Sequence, residues 1–113
     1  MRICVPRKRD GVITGYYIWC VACKHAHVYE VPGWSFNGNL EKPSFTPSLL
    51  EFYTKPGTNQ RIITCHFFVT DGIIKYCGDC PHELNCQNLP LEQIPENYHL
   101  GGADPDAQNY AQN

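Results

Sequence analysis

The chain has 113 residues, a formal net charge of −2 at pH 7 and a hydrophobic fraction of 42%. This length suits one domain, and the hydrophobic fraction excludes a wholly disordered chain. The longest apolar run, residues 16–23, is about eight residues long, whereas a membrane helix needs roughly 20. We therefore expect no membrane helix, and the seven Cys become the outstanding feature of the composition.

The first ten residues carry four basic side chains and no apolar core of a signal peptide, which predicts that no secretory leader is present. Thiols stay reduced in the cytoplasm, and an odd number of Cys does not suit a disulfide framework. We therefore predict a cytoplasmic protein with reduced cysteines and a solvated basic start.

The middle of the chain has the pattern of β-strands. Aromatic and β-branched residues predict strands over residues 12–20, 27–31, 48–54, 62–69 and 73–77. Trp34 and Phe36 alternate with a polar residue, which favours core packing over base stacking. Little helix is expected beyond one turn at residues 83–86. Residues 96–113 are rich in Asn, Gln and Gly and are predicted to be a flexible tail.

Thr70-Asp71-Gly72 separates the last two apolar runs, and Asp-Gly in that position predicts a tight hairpin. The predicted register pairs residue 70 with 73, 68 with 75, and 66 with 77. His66 and Cys77 then share one face of the sheet. Cys65, Cys80 and His82 share the other face, so the hairpin offers two half-sites for a metal ion.

Cysteine and histidine together form the natural ligand set of Zn²⁺. Two C-x-x-C pairs are present, Cys20/Cys23 and Cys77/Cys80, and His residues follow both. The 53 residues between the pairs are too many for a simple zinc finger but suit a β-rich insert. The sequence predicts a small, single-domain, mainly β protein, a zinc-stabilised antiparallel sheet like an extended zinc ribbon, over residues 1–95.

Several motifs resemble those of a small, uncharacterised family from bacteriophages and prophages. The family pattern is C-x-x-C with a following His, W-x-F-N-G, P-x-F-x-P-S, C-H-x-F-V-x-D-G and D-C-x-H. This chain carries these elements at Cys20/Cys23/His27, Trp34–Gly38, Pro43–Ser48, Cys65–Gly72 and Asp79–His82.

The resemblance implies a phage-encoded protein of the host cytoplasm with a metal site. Automated labels of the family include ammonia monooxygenase. We discount that label, because such copper enzymes are membrane assemblies. Cys77 is not part of the family pattern, and this shifts the expected ligands toward Cys20, Cys23, Cys65 and Cys80, with His66 and His82 next.

Cys20 and Cys23 are thus the first predicted ligands and Cys80 is the next. The fourth place stays open: spacing favours Cys77, whereas the hairpin and the resemblance favour Cys65 or His82. His27 is either a ligand or a hydrogen-bonded residue of a strand.

Three functions compete, and we rank a non-enzymatic zinc-binding module first. Its partner would be a host or phage protein, such as a defence component, or a small nucleotide. A small zinc-dependent hydrolase or deaminase-like enzyme is second, with His66, Cys80 and His82 as ligands and Glu83 or Asp79 as base. Asp79 could also orient a ligand His. A zinc-ribbon nucleic-acid binder is third, because the isoelectric point near 6.2 opposes a broad phosphate footprint.

Overall fold

The computed structural model describes residues 2–103, which form eight β-strands and no helix. The strands are β1 (Cys4–Arg9), β2 (Val12–Cys20), β3 (His25–Glu30), β4 (Ser35–Phe36), β5 (Phe45–Thr54), β6 (Arg61–Thr70), β7 (Ile73–Tyr76) and β8 (Asn88–Pro90). Strands β1-β2-β3 form antiparallel sheet A, and β4-β5-β6-β7-β8 form antiparallel sheet B. The predicted small antiparallel β fold is confirmed. Over the same residues, no helix is long and apolar enough to cross a membrane.

The β6/β7 hairpin has the predicted turn and register. Asp71 and Gly72 both adopt positive φ, 49° and 76°, as the two central residues of a tight hairpin turn require. Thr70 pairs with Ile73, and two residues further along β6 the next predicted pair, 68 with 75, is also present. The alternation along β6 therefore directs position 65 into the core and position 66 outward.

Strand β1 was not expected, because its basic residues were interpreted as a solvated terminus. Val5 is only 2% exposed, and Arg7 only 7%. The buried guanidinium is accommodated by an ion pair with Glu30 and a hydrogen bond of 2.9 Å to the hydroxyl of Thr14. Since these partners lie on β2 and β3, pairing of the strands neutralises a charge that the local sequence leaves unpaired.

Part of the segment predicted as a tail packs against sheet A. The ring of Tyr98 lies 5.0 Å from that of Trp19, Leu100 is buried, and the carbonyl of Gly102 accepts a hydrogen bond of 2.7 Å from the Lys8 amide. These contacts hold residues 96–103 against sheet A. Residues 104–113 of the predicted tail lie outside the described part of the chain.

The two sheets meet in an aromatic core. Tyr29 of sheet A stacks on Phe45 of sheet B, with centroids 3.9 Å apart and ring planes 7° from parallel. Phe67 packs edge-on to Tyr29, and Phe36 lies between Tyr16 and Phe45. This cluster fixes sheet A against β5 and β6, the strands that carry the residues described below.

We expect Tyr29→Phe to stabilise the protein. The Tyr29 hydroxyl is buried without a hydrogen-bond partner among the described residues, and such a group costs about 1 kcal/mol or more. Removing it should raise Tm by roughly 4 °C in thermal unfolding. Tyr76→Phe is the matched control. The Tyr76 hydroxyl lies 3.2 Å from the Cys20 sulfur, so its removal costs a hydrogen bond and should lower Tm. A lower Tm for Tyr29→Phe would contradict the assignment.

Candidate functional site

An irregularity in β5 sets the position of Ser48. The ladder to β6 pairs Phe45 with Val69 and resumes at Leu49 with Phe67. Three residues of β5 thus lie opposite one residue of β6, so this stretch leaves the regular ladder. Irregularities of this kind re-aim side chains beside active sites. Here the Ser48 side chain is turned toward β6.

Ser48, His66 and Asp79 form one chain of hydrogen bonds. The Oγ of Ser48 lies 3.1 Å from Nε2 of His66, and both carboxylate oxygens of Asp79 lie 3.0 Å from Nδ1 of His66. A carboxylate only accepts, so Nδ1 carries the proton and Nε2 offers its lone pair to the serine hydroxyl. Nucleophile, base and orienting acid therefore stand in the order that nucleophilic catalysis by serine needs.

The turn at residues 77–80 holds Asp79 beside the histidine. The amide of Cys77 donates to the carbonyl of His66 over 2.9 Å, and the Cys80 thiol donates to the same carbonyl over 3.0 Å. The Cys80 sulfur also accepts from the His66 amide at 3.2 Å. Cys77 and Cys80, the second C-x-x-C pair, thus fix the backbone of His66, the candidate base.

The side chains of His66 and Asp79 lie on a solvent-accessible face of sheet B. The His66 side chain is 24% exposed and that of Asp79 is 45% exposed. On the same face of the sheet, Leu50 pairs across the ladder with His66, and the Phe68 ring lies 6.5 Å from the imidazole. Both apolar side chains are exposed. An elongated substrate could therefore reach Ser48 and rest on an apolar surface.

A second cluster lies on the buried side of the same strands. The donor atoms of Cys20, Cys23, His27 and Cys65 all lie within 4.8 Å of one another. The first two bracket the turn after β2, His27 is on β3, and Cys65 is on β6. The cluster, which we call the thiol–imidazole cluster, therefore joins sheet A to sheet B and suits a metal ion.

The electrostatics of this cluster favour a thiolate at Cys20. A hydrogen bond with Cys65 lowers the pKa of the Cys20 thiol, and the Tyr76 hydroxyl and the Cys23 amide approach the same sulfur at 3.2 and 3.3 Å. The same thiol–thiol interaction raises the pKa of Cys65, and burial raises that of Cys23. One negative charge is thus already stabilised where a cation would add attraction.

Three further groups could hold a metal ion, and the last two of them contain the other predicted ligands, Cys77, Cys80, His66 and His82. These groups are Cys23/His25/His27/Glu51, Cys65/Cys80/His82 and His66/Cys77/Asp79. Cys77 and Cys80 thus do not join Cys20 and Cys23 in one group of the described residues. Cys80 and His82 share Cys65 with the thiol–imidazole cluster. Glu83 is in none of these groups and lines, together with His82, a cavity of about 400 Å³ beside the residue 21–24 turn.

Sequence reasoning gave Ser48 and Glu51 no role. Ser48 is the last residue of Pro43–Ser48, His66 follows Cys65, and Asp79 precedes Cys80. Three pieces of the recognised pattern thus contain the Ser, the His and the Asp of this hydrogen-bond chain. A Ser, a His and an Asp in one motif set are the sequence signal for nucleophilic catalysis at this site.

A protein-family model matches most of the chain. Its description is bacterial ubiquitination-like system serine protease (BubE), and the match covers residues 2–77, which are 76 of the 113 residues. Ser48 and His66 lie inside this range and Asp79 lies two residues beyond it. No curated protein and no solved structure matches the chain.

Proposed function

The chain belongs to the BubE family, and we propose that it is a serine hydrolase that cleaves peptide or related acyl bonds. The observation that carries this proposal is the Ser48–His66–Asp79 hydrogen-bond chain. The family description adds that its members are serine proteases of a bacterial ubiquitination-like system, and we propose that the bond cleaved belongs to such a system.

In the first half of the reaction, Ser48 Oγ attacks the carbonyl carbon of the substrate while its proton passes to Nε2 of His66. The resulting imidazolium is stabilised by the Asp79 carboxylate, which stays ionised. When the tetrahedral intermediate collapses, the bond to the leaving amine or alcohol breaks. The proton on Nε2 passes to that leaving group, and the acyl group remains on Ser48.

In the second half, water replaces the leaving group. His66 Nε2 takes a proton from the water as its oxygen attacks the acyl carbon, and returns it to Ser48 Oγ as the ester bond breaks. The released product is a carboxylic acid, which loses its proton to water, and the serine and the neutral histidine are regenerated. The exposure of His66 gives water the access that this step needs.

The substrate-binding surface of this proposal includes Phe68 and Leu50. We expect Phe68→Ser to raise KM on an apolar peptide or ester several-fold, because the ring lies on the same face as His66 and is 46% exposed. Complete burial of a Phe side chain contributes about 1.5–3 kcal/mol, and a substrate would cover only the exposed half of this ring, so about half of that free energy is lost in the variant. The control is Phe52→Ser. Phe52 is exposed near the far end of β5, where Arg61 lies over its ring. Equal KM values for both variants would remove Phe68 from the binding surface.

We further propose that the metal suited to the thiol–imidazole cluster is zinc. Thiolate and imidazole are soft to borderline ligands, and tetrahedral sets of Cys and His are typical of structural Zn²⁺ sites. Bound there, zinc would supply a cross-link between the sheets.

A non-enzymatic module acting on a host or phage protein, the function that the sequence alone favoured, stays a prediction. So do the phage origin, the nucleotide partner and the cytoplasmic location. The hydrogen-bonded arrangement of Ser48 with its base is the reason to propose an enzyme in preference to that module.

The proposal is tested by incubating the purified chain with chromogenic esters and a library of extended peptides. We expect hydrolysis that scales with protein concentration and stops after treatment with a fluorophosphonate, which reacts with activated serines. Hydrolysis that survives the fluorophosphonate, or its absence with every ester and peptide, would contradict the proposal.

A further inference from the structure

We propose that a single zinc ion is held by the sulfurs of Cys20, Cys23 and Cys65 and by Nε2 of His27, with Glu51 as a positioning residue behind the histidine. This inference rests on the proposal that the metal is zinc.

The strongest support comes from the hydrogen bonding of the two His27 ring nitrogens. Its Nδ1 lies 2.8 Å from a carboxylate oxygen of Glu51, so Nδ1 carries the proton and Nε2 has a free lone pair. His27 is only 2% exposed, and Nε2 is buried without a hydrogen-bond partner among the described residues. His27 offers a ring nitrogen within 4.8 Å of three sulfurs, and an orphaned acceptor on that same ring is explained if a cation binds there.

Glu51 is itself held in place. The hydroxyl of Thr64 donates to its other carboxylate oxygen over 2.9 Å. A carboxylate that fixes the tautomer of a histidine is the usual second layer of a zinc site. The Cys23 amide and the Tyr76 hydroxyl, both close to the Cys20 sulfur, supply the donors that stabilise a bound thiolate.

The competing groups place protons where a ligand needs a lone pair. Nδ1 of His82 accepts from the Leu84 amide over 3.3 Å, so its Nε2 carries the proton and donates toward the Cys65 sulfur 3.4 Å away. Both nitrogens of His66 are used by Ser48 and Asp79. In the group containing Glu51, the proton of His27 lies between its Nδ1 and the carboxylate.

A site with four protein ligands is closed and structural. The position of this structural site determines which strands it would hold together. Cys65 precedes His66 in β6, and its ladder partner is Glu51, three residues after Ser48. The ion therefore clamps β2 and β3 to the two strands that carry the nucleophile and the base. Hydrolysis takes place on the opposite face of those strands.

The test is the zinc content of purified variants, measured by inductively coupled plasma mass spectrometry. We expect about one zinc per wild-type chain and a loss of at least tenfold in occupancy for Cys20→Ser and Cys65→Ser. Cys77→Ser and Cys86→Ser are matched controls that should keep the zinc. Full occupancy in Cys20→Ser would overturn the ligand assignment while leaving zinc binding intact. A folded wild-type chain without zinc would overturn both.

X-ray absorption at the zinc edge keeps the inference testable if those variants fail to fold. The wild-type chain should show three sulfurs at about 2.3 Å and one nitrogen at about 2.0 Å. His27→Cys should change this shell to four sulfurs, and His82→Ala should leave it unchanged. A nitrogen lost in His82→Ala but kept in His27→Cys would assign the ligand to His82 and overturn the proposal.

Discussion

Replacing Ser48 by Ala is expected to lower kcat by about 10⁶-fold on any ester or peptide that the wild-type chain hydrolyses. The substitution removes the Oγ that lies 3.1 Å from Nε2 of His66, and with it the covalent route. His66→Ala should cost about as much, because the nucleophile and its base act as a unit. The measurement is kcat and KM of each variant on one substrate.

The double variant tests whether Ser48 and His66 act as one unit. Ser48→Ala combined with His66→Ala should be no slower than either single variant, because either one already removes the shared step. Ser44→Ala is the matched control: this Ser lies four residues away, where its hydroxyl contacts Asp71 instead. It should keep kcat within a few-fold. Losses that multiply in the double variant would show that Ser48 and His66 act separately.

Removing the metal is expected to abolish the cooperative fold. Structural zinc contributes about 10–16 kcal/mol in small zinc domains, whereas a folded domain has a net stability of about 5–15 kcal/mol. Here the proposed ligands lie on both sheets, so loss of the metal removes a cross-link between the sheets and leaves the buried Nε2 of His27 without a partner among the described residues. Near-ultraviolet circular dichroism and thermal unfolding after chelation measure the effect.

The control for chelation is metal replacement. Stoichiometric Zn²⁺ added to the chelated chain should restore both the spectrum and hydrolysis, whereas Mg²⁺, which prefers oxygen ligands, should restore neither. A chain that keeps its native spectrum and Tm after complete removal of zinc would show that the aromatic core alone holds the two sheets together.

The part of the fold that follows from local sequence was predicted correctly. The register of the β6/β7 hairpin depends on Asp71 and Gly72, whose conformations are set by the turn itself. Strand β1 was missed because its Arg7 is satisfied by Glu30 and Thr14, partners 23 and 7 residues away. Long-range pairing of this kind leaves no periodic signal in the strand that depends on it.

In the candidate site too, features set by neighbouring residues were predictable and features set by long-range contacts were not. The first C-x-x-C pair was recognisable because Cys20 and Cys23 are three residues apart and act together. Ser48 was missed because its role depends on an irregularity of β5 that aims it at a base 18 residues later. Asp79 was predicted to be a general base or to orient a metal-ligating histidine, whereas the histidine that it contacts is His66, the hydrogen-bond partner of Ser48.

The most direct measurement is the location of a fluorophosphonate adduct. The wild-type chain is treated with the reagent, and peptides are mapped by mass spectrometry. A single stoichiometric adduct on Ser48, absent from the His66→Ala variant and present in the Ser44→Ala control, is the result that our account predicts. An unmodified Ser48 in folded, zinc-loaded protein, or an adduct on another residue, would contradict it.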